Sequence, residues 1–503
     1  MGAWLAVAVP AWMVVFTHST VDVVLASHDA TLRPNLAGEV RLDMGPYLPD
    51  LRTDAEGPIG VDLEVGKTNA STTAELAERY AAIATRPEAE QQRITEQAAG
   101  LAVDAALTAT AIGLVPIALW VALGQARRRQ LFRWHGRRNT AIGVAVVVGA
   151  TLLVWQPWRP DDESVQEDTW IPIQDAVTDV TVPEELTGWE IQGGLMTQQT
   201  RRLLFSLFDT YERSKVFYEG ATARVPEIAD DLRTPEEGET VAVLVSDRHD
   251  NVGMDAVVRA VADEAGASVV MTAGDDTSTG ATWEAFSLAS LDEAFKDYDA
   301  KISVAGNHDH GGFVSRRLEN LGWTHLDGKP VEPFGDVRMT GVDDPRSSGL
   351  GTWRDEKDLS FADVRERIAD DVCALDEDGE RIATLLVHDA NLGAGALDRG
   401  CTDLVLGGHL HSQVGPTRVA GENGVGYTYT NGTTGGAAYA IAVGSKPRRD
   451  AMFTFVTYAE GRPVGIQPVT VRTTGEIVVS PYVALDLEDD QSASSANRTD
   501  GGD

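Results

Sequence analysis

Five apolar runs in this chain stop in the same kind of chemistry. "VAVLVSDRHD" ends in Asp247 and His249, and "SVVMTAGDD" ends in Asp275. "ISVAGNHD" runs into Asn307, His308 and Asp309, "TLLVHD" into His388, and "DLVLGGHLH" into His409 and His411. Short apolar runs bounded by Gly and Asp read as buried strands, and helical spacing in segments such as "GMDAVVRAVADEAG" places helices between some of them, an α/β pattern. Residues two apart in an extended segment point the same way, so Asp247 with His249, and His409 with His411, form pairs able to grip a cation. Ligand-binding groups in open α/β sheets gather at the carboxyl ends of the strands. A single such motif occurs often by chance; five in series predict a metal site.

Asp247, His249, Asp275, Asn307, His388, His409 and His411 are seven ligands, too many for one ion that must also hold a substrate. Divided between two cations sharing one carboxylate, they suit a centre that clamps a phosphoryl group. Imidazole, carboxylate and amide without thiolate favour Mn, Fe or Zn. His308 is surplus to the ligands, and Asp309 is placed to orient it as a carboxylate orients a working imidazole.

The series D-x-H, G-D, G-N-H-D, H and G-H-x-H resembles the calcineurin-like metallophosphoesterase superfamily over roughly residues 240–440, and the apolar front of the chain resembles its bacterial membrane-anchored members. The resemblance implies a β-sandwich flanked by helices. It implies that Asp247, His249 and His411 hold one ion, that Asn307, His388 and His409 hold the other, and that Asp275 bridges. It gives His308 the role of stabilising the transition state or protonating the leaving oxygen. Two positions depart from the pattern: Asp250 stands where many members have Gly, and the second motif reads "GDDTSTG". "TNGTTGGA" (430–437) is similar to a late family loop whose small residues let backbone approach the site. The acids of "GVDDP" read as turn-formers.

Three stretches, 3–26, 105–124 and 139–158, are apolar and about 20 residues long, enough to cross roughly 30 Å of hydrocarbon. They divide the chain into a first transmembrane helix and signal anchor (1–26), an extracytoplasmic insert (27–104), a second helix (105–124), a basic loop (125–138) and a third helix (139–158). A juxtamembrane linker and helical region (159–239), the metallophosphoesterase-like domain (240–485) and an acidic, disordered tail (486–503) follow. The segment 125–140 holds six Arg and no acid, which assigns it to the cytoplasm and the catalytic region to the opposite side. Residues 1–158 carry 15 acids and 13 bases, leaving 62 acids and 29 bases beyond them, a net of −33. Such a surface repels polyanions, so general nucleic-acid binding is not expected. Cys373 and Cys401, the only cysteines, are open to either a disulfide or two buried thiols.

The expectation is therefore a multi-pass cell-membrane protein anchored in the lipid bilayer. Its two divalent ions hydrolyse a phosphomono- or phosphodiester outside the cytoplasm: a lipid head group, an envelope precursor or a nucleotide. The alternative is a catalytically inactive protein of the same fold that binds a partner or acts as a sensor.

Overall fold

The structure is a computed structural model. It describes residues 2–25, 28–44, 49–55, 57–68, 87–122, 169–177, 186–195, 197–349, 352–355, 359–437 and 446–488, with a few single positions between them. The chain divides into two compact units, 1–69 with 90–206, and 207–503 with 70–89.

In the first unit, helix α1 (Gly2–His18) is followed by β1 (Val21–Leu25), so the predicted first span is not one helix. Ser19 Oγ and Thr17 Oγ1 donate to the Val15 and Met13 carbonyls as the helix ends. The β-branched "VDVV" that follows prefers an extended chain. Strands β2 (His28–Asn35), β3 (Glu39–Asp43), β4 (Leu51–Asp54) and β5 (Gly60–Thr68) come next. Two short strands from far along the chain, β6 (Trp170–Pro172) and β7 (Glu190–Gln192), complete a seven-stranded sheet in the order β1-β2-β5-β3-β4-β7-β6. Part of the region expected to be a linker is therefore sheet.

Helix α2 (Pro87–Ala122) is much longer than the expected 105–124. At 1.5 Å per residue it extends over about 54 Å. Its first part packs Ile94, Ala98 and Leu101 against Leu32, Val61 and Leu63 of the sheet. Trp12 of α1 donates its indole N–H to the Ala102 carbonyl, 3.1 Å away. Among the described residues this is the one helix long and apolar enough to cross a membrane, over Ile94–Val115. The stretch 139–158 lies outside the described residues, so a set of three spans is not supported.

All five apolar runs that end in the expected ligands form strands in the second unit. One sheet runs β11 (Thr324–His325), β10 (Ala300–Ser303), β9 (Val269–Thr272), β8 (Glu239–Val245), β20 (Ala451–Ala459), β21 (Arg462–Val471), β22 (Ile477–Val479), with β23 (Val483–Ala484) also on β21. The other runs β12 (Val331–Phe334), β13 (Val337–Val342), β16 (Ile382–Val387), β17 (Thr402–Gly407), β19 (Val425–Thr430), β18 (Val414–Ala420). A hairpin of β14 (Arg346–Gly349) and β15 (Thr352–Asp355) stands apart.

Strand alternation assigns each side chain to a layer. Ala242 and Leu244 of β8 meet Leu386 of β16, Leu404 and Leu406 of β17 and Tyr429 of β19 in a core shared by the two sheets. On β8, Val241, Val243 and Val245 face the opposite way, into a core with α4 (Gly253–Glu264), α5 (Ala285–Ala294) and α6 (Phe313–Asn320). Leu385, Val387 and Val405 pack instead against α7 (Phe361–Glu377) and α8 (Ala394–Arg399). Helix α3 (Gln198–Thr222) leads into this unit, and its Tyr218 joins the first core. Strands β8, β9 and β10 run parallel, as do β13, β16, β17 and β19. Their carboxyl ends lead into the residues predicted as ligands.

Cys373 on α7 and Cys401 before β17 are joined in a disulfide across 28 positions of sequence. Loop closure of that length stabilises by about 3–4 kcal/mol. Replacing both cysteines by Ala is expected to lower the urea midpoint of this unit correspondingly, with no change in secondary structure by circular dichroism.

Candidate metal centre

Five of the seven predicted ligands have backbones that L-residues seldom adopt. Asp247, His249, Asp275, His409 and His411 have φ between +45° and +73°, and Asp250 has +64°. Only two other non-glycine residues among those described, Asp336 and Glu460, share this feature. Asp and His tolerate the left-handed region better than most residues, yet each still costs of order 1–3 kcal/mol, and such strain clusters where function requires it. The loops turn sharply at each strand end and aim their side chains back over the sheet edges.

The turns leave no room for larger neighbours. A Cβ on Gly306 would lie 2.2 Å from Asp275 Oδ1, and one on Gly408 would lie 2.5 Å from Asp247 Oδ2. Gly408 thus lets the His409 N–H donate to Asp247 Oδ2 at 2.9 Å. The His308 N–H donates to Asp275 Oδ1 at 2.8 Å.

The inner atoms are acceptors facing acceptors. His388 Nδ1–H donates to the Ala273 carbonyl (2.7 Å) and His411 Nδ1–H to the Ala437 carbonyl (3.1 Å). A carbonyl only accepts, so in the neutral imidazoles each Nε2 carries a lone pair. His388 Nε2 lies 3.0 Å from Asn307 Oδ1 and 3.2 Å from Asp275 Oδ2. His411 Nε2 lies 3.1 Å from His249 Nε2 and 3.3 Å from Asp247 Oδ1. Lone pairs at these distances repel unless a cation or a proton lies among them. The atoms form two groups, Asp247–His249–His411 and Asp247–Asp275–His388, each with its donors within 4.8 Å of one another. The first is the trio expected for one ion. In the second, Asp247 joins Asp275 as a shared carboxylate, while Asp275 Oδ2 also stands 3.8 Å from His249 Nε2. His409 belongs to neither group; its ring packs edge-on against His388, with centroids 5.1 Å apart. The donor set fits two divalent ions.

Electrostatics agree with that fit. Burial alone would depress His388, but the Asp275 carboxylate outweighs it and holds the imidazole well above its ordinary value. His411 is likewise depressed by burial and raised further by Asp247. His249 is pushed down to about 4, chiefly by burial. Against burial, the surrounding histidines hold the Asp275 and Asp247 carboxyls below their usual range. Asp250, Asp255, Asp276, Glu284 and Asp309 are buried beneath the ligands with a single buried arginine, Arg248. Dications held by the ligands would add positive field there.

These buried groups form the mounting. Arg248, fully enclosed, makes a two-pronged contact with Asp255 (3.0 and 2.7 Å) and reaches Asp276 at 3.4 Å. Glu284 accepts the Ser278 and Thr279 N–H groups, and Asp250 accepts the Ser278 N–H as well. His308 stands 5.1 Å from His249, ring to ring. Its Nδ1–H donates to the Ser278 carbonyl at 2.9 Å. Asp309 therefore does not orient the imidazole: it accepts from the Gly306, Asp276 and Thr277 N–H groups and ties two ligand loops together. The glycine-rich 430–437 segment approaches as expected, with Thr434 N donating to Ser246 O and Thr433 Oγ1 to Asp247 O.

Sequence reasoning missed the contribution of "GVDDPRSS". Asp343 accepts the Ala305 N–H, Asp344 N donates to Ala305 O, and Ser348 N donates to Asn307 O. Arg346 is clamped between Asp344 and Asp389. No local pattern announces these roles, because every partner but Asp344 is about 40 residues away.

No family model matches the chain, and a search of curated proteins finds no match.

Two outcomes are expected. Because His388 and His411 hold protons more tightly than free imidazoles, metal uptake displaces those protons, and affinity for Mn²⁺ falls as pH is lowered. Calorimetric titrations in buffers of different ionisation enthalpy check the proton release. Asp275→Ala, which removes a carboxylate facing both groups, is expected to lower metal content from two ions per chain to one or fewer by elemental analysis.

Proposed function

We propose that this chain is a membrane-anchored, dinuclear metal-dependent phosphoric ester hydrolase of the calcineurin-like metallophosphoesterase type, working outside the cytoplasm. The observation that carries this reading is the meeting of two carboxylate–imidazole groups around shared Asp247, with His308 alongside. The two facing sheets with helices on their outer sides agree with the sandwich expected of that superfamily.

Two divalent ions, when bound, would supply Lewis acidity at a phosphoryl group. Asp247, His249 and His411 would hold one ion; Asp275, Asn307 and His388 would hold the second, with His409 beside them. His308, oriented by its Nδ1–H bond to the Ser278 carbonyl, would donate to the leaving oxygen from Nε2 in the form that carries protons on both ring nitrogens. The strained loops keep these groups in place before substrate arrives.

One feature supports the cellular side. A disulfide persists in oxidising compartments. In addition, Leu51 of β4 pairs with Ile191 of β7, so both strands lie on one side of any bilayer. Val103, Leu107, Leu114, Val115 and Val121 of α2 are exposed, which suits a lipid surrounding, and α1 packs along this helix.

The full chain in detergent with Mn²⁺ is expected to hydrolyse p-nitrophenyl phosphate or bis-p-nitrophenyl phosphate. His308→Ala is expected to lower kcat by about 10²–10⁴-fold while both ions remain bound. A metal-loaded chain inert toward both esters contradicts the reading.

A further inference from the structure

Ser348 lies on β14, outside every motif that marks the site, yet its hydroxyl touches two of the site's working side chains. Asn307 Nδ2–H donates to Ser348 Oγ at 2.7 Å, and Ser348 Oγ lies 2.7 Å from His308 Nε2. His308 Nδ1 carries its proton toward the Ser278 carbonyl. In the neutral imidazole, Nε2 is therefore the acceptor and the serine O–H the donor. The hydrogen bonds run in one direction, from the Asn307 amide through the serine hydroxyl to the imidazole.

The amide is the important end. An asparagine side chain offers an oxygen on one side and an NH₂ on the other, and only the oxygen ligates a cation. With Nδ2 held by Ser348, Oδ1 is turned toward His388 Nε2, 3.0 Å away. The serine is itself fixed. Its N–H donates to Asn307 O, and two residues earlier Arg346 grips Asp344 and Asp389 at 2.6 and 2.9 Å while lying over the Phe361 ring.

We propose that Ser348 is a positioning residue that sets the Asn307 amide for the second ion and holds the His308 ring in register with it. The inference rests on the two-ion reading of the site. Partners in the outer layer of metal sites change affinity or activity by about 10–100-fold when removed. The Asn307 contact confines this effect to one ion of the two.

The test is a Mn²⁺ titration of the full chain in detergent, followed by calorimetry and electron paramagnetic resonance. Ser348→Ala is expected to weaken the second ion by about 10–100-fold and leave the first within about threefold. Ser348→Thr, which keeps the hydroxyl, is expected to recover most of the loss. In an Asn307→Ala background, Ser348→Ala is expected to add nothing. Unchanged second-ion affinity, equal losses at both ions, no recovery with threonine, or additive losses in the double variant each overturn the role of Ser348, and the two-ion centre then stands. A wild-type chain that takes up fewer than two Mn²⁺ overturns the two-ion reading and this inference with it. Thermal unfolding of each metal-free variant identifies any that has simply lost its fold.

Discussion

Acceptor groups do not gather around an empty point without a positive charge to hold them. In this chain His388 Nε2 faces Asp275 and Asn307 oxygens, and His411 Nε2 faces His249 and Asp247. The rest of the second unit can be read as the means of tolerating that convergence. Parallel strands bring the ligand loops to one edge, and left-handed backbone at six polar residues bends them inward. A fully buried Arg248 with Asp255 and Asp276 holds the loops from beneath. The Asp275 and Asp247 carboxylates raise the affinity of His388 and His411 for protons although burial opposes it, the same field that would favour a cation there.

Much of this was legible because strands buried on both faces leave long apolar runs, and their ends are abrupt. The runs before Asp247, Asp275, Asn307, His388 and His409 each became a strand, and each ligand loop followed. What escaped was of two kinds. Apolar runs do not say whether they are helix or strand: 3–26 divides at His18, although valines occur in both the helix and the strand that follows. Three-residue strands such as β6 and β7 are too short to show a period at all.

The supporting residues escaped for a different reason. Ser348, Asp343 and Arg346 acquire their roles only when β14 passes beside the Asn307 loop, a tertiary event without a local signature. Asp309 shows the converse error. Its position next to His308 suggested an orienting carboxylate, but adjacent residues on a tight turn diverge, and a backbone carbonyl from Ser278 reaches the ring instead. Proximity in sequence was a poor guide to partnership in that turn, whereas spacing at strand ends was a good one.

The seven-stranded sheet of the first unit carries a consequence for biosynthesis. Arg52 on β4 meets Glu190 on β7 across 138 positions of chain. Translation at roughly 5–20 residues per second delays the partner by about 7 to 28 seconds after β4 emerges. During that interval β4 is an open edge, with free N–H and C=O groups able to template pairing with another nascent chain. Timing, as well as composition, therefore bears on this protein's exposure to misassembly.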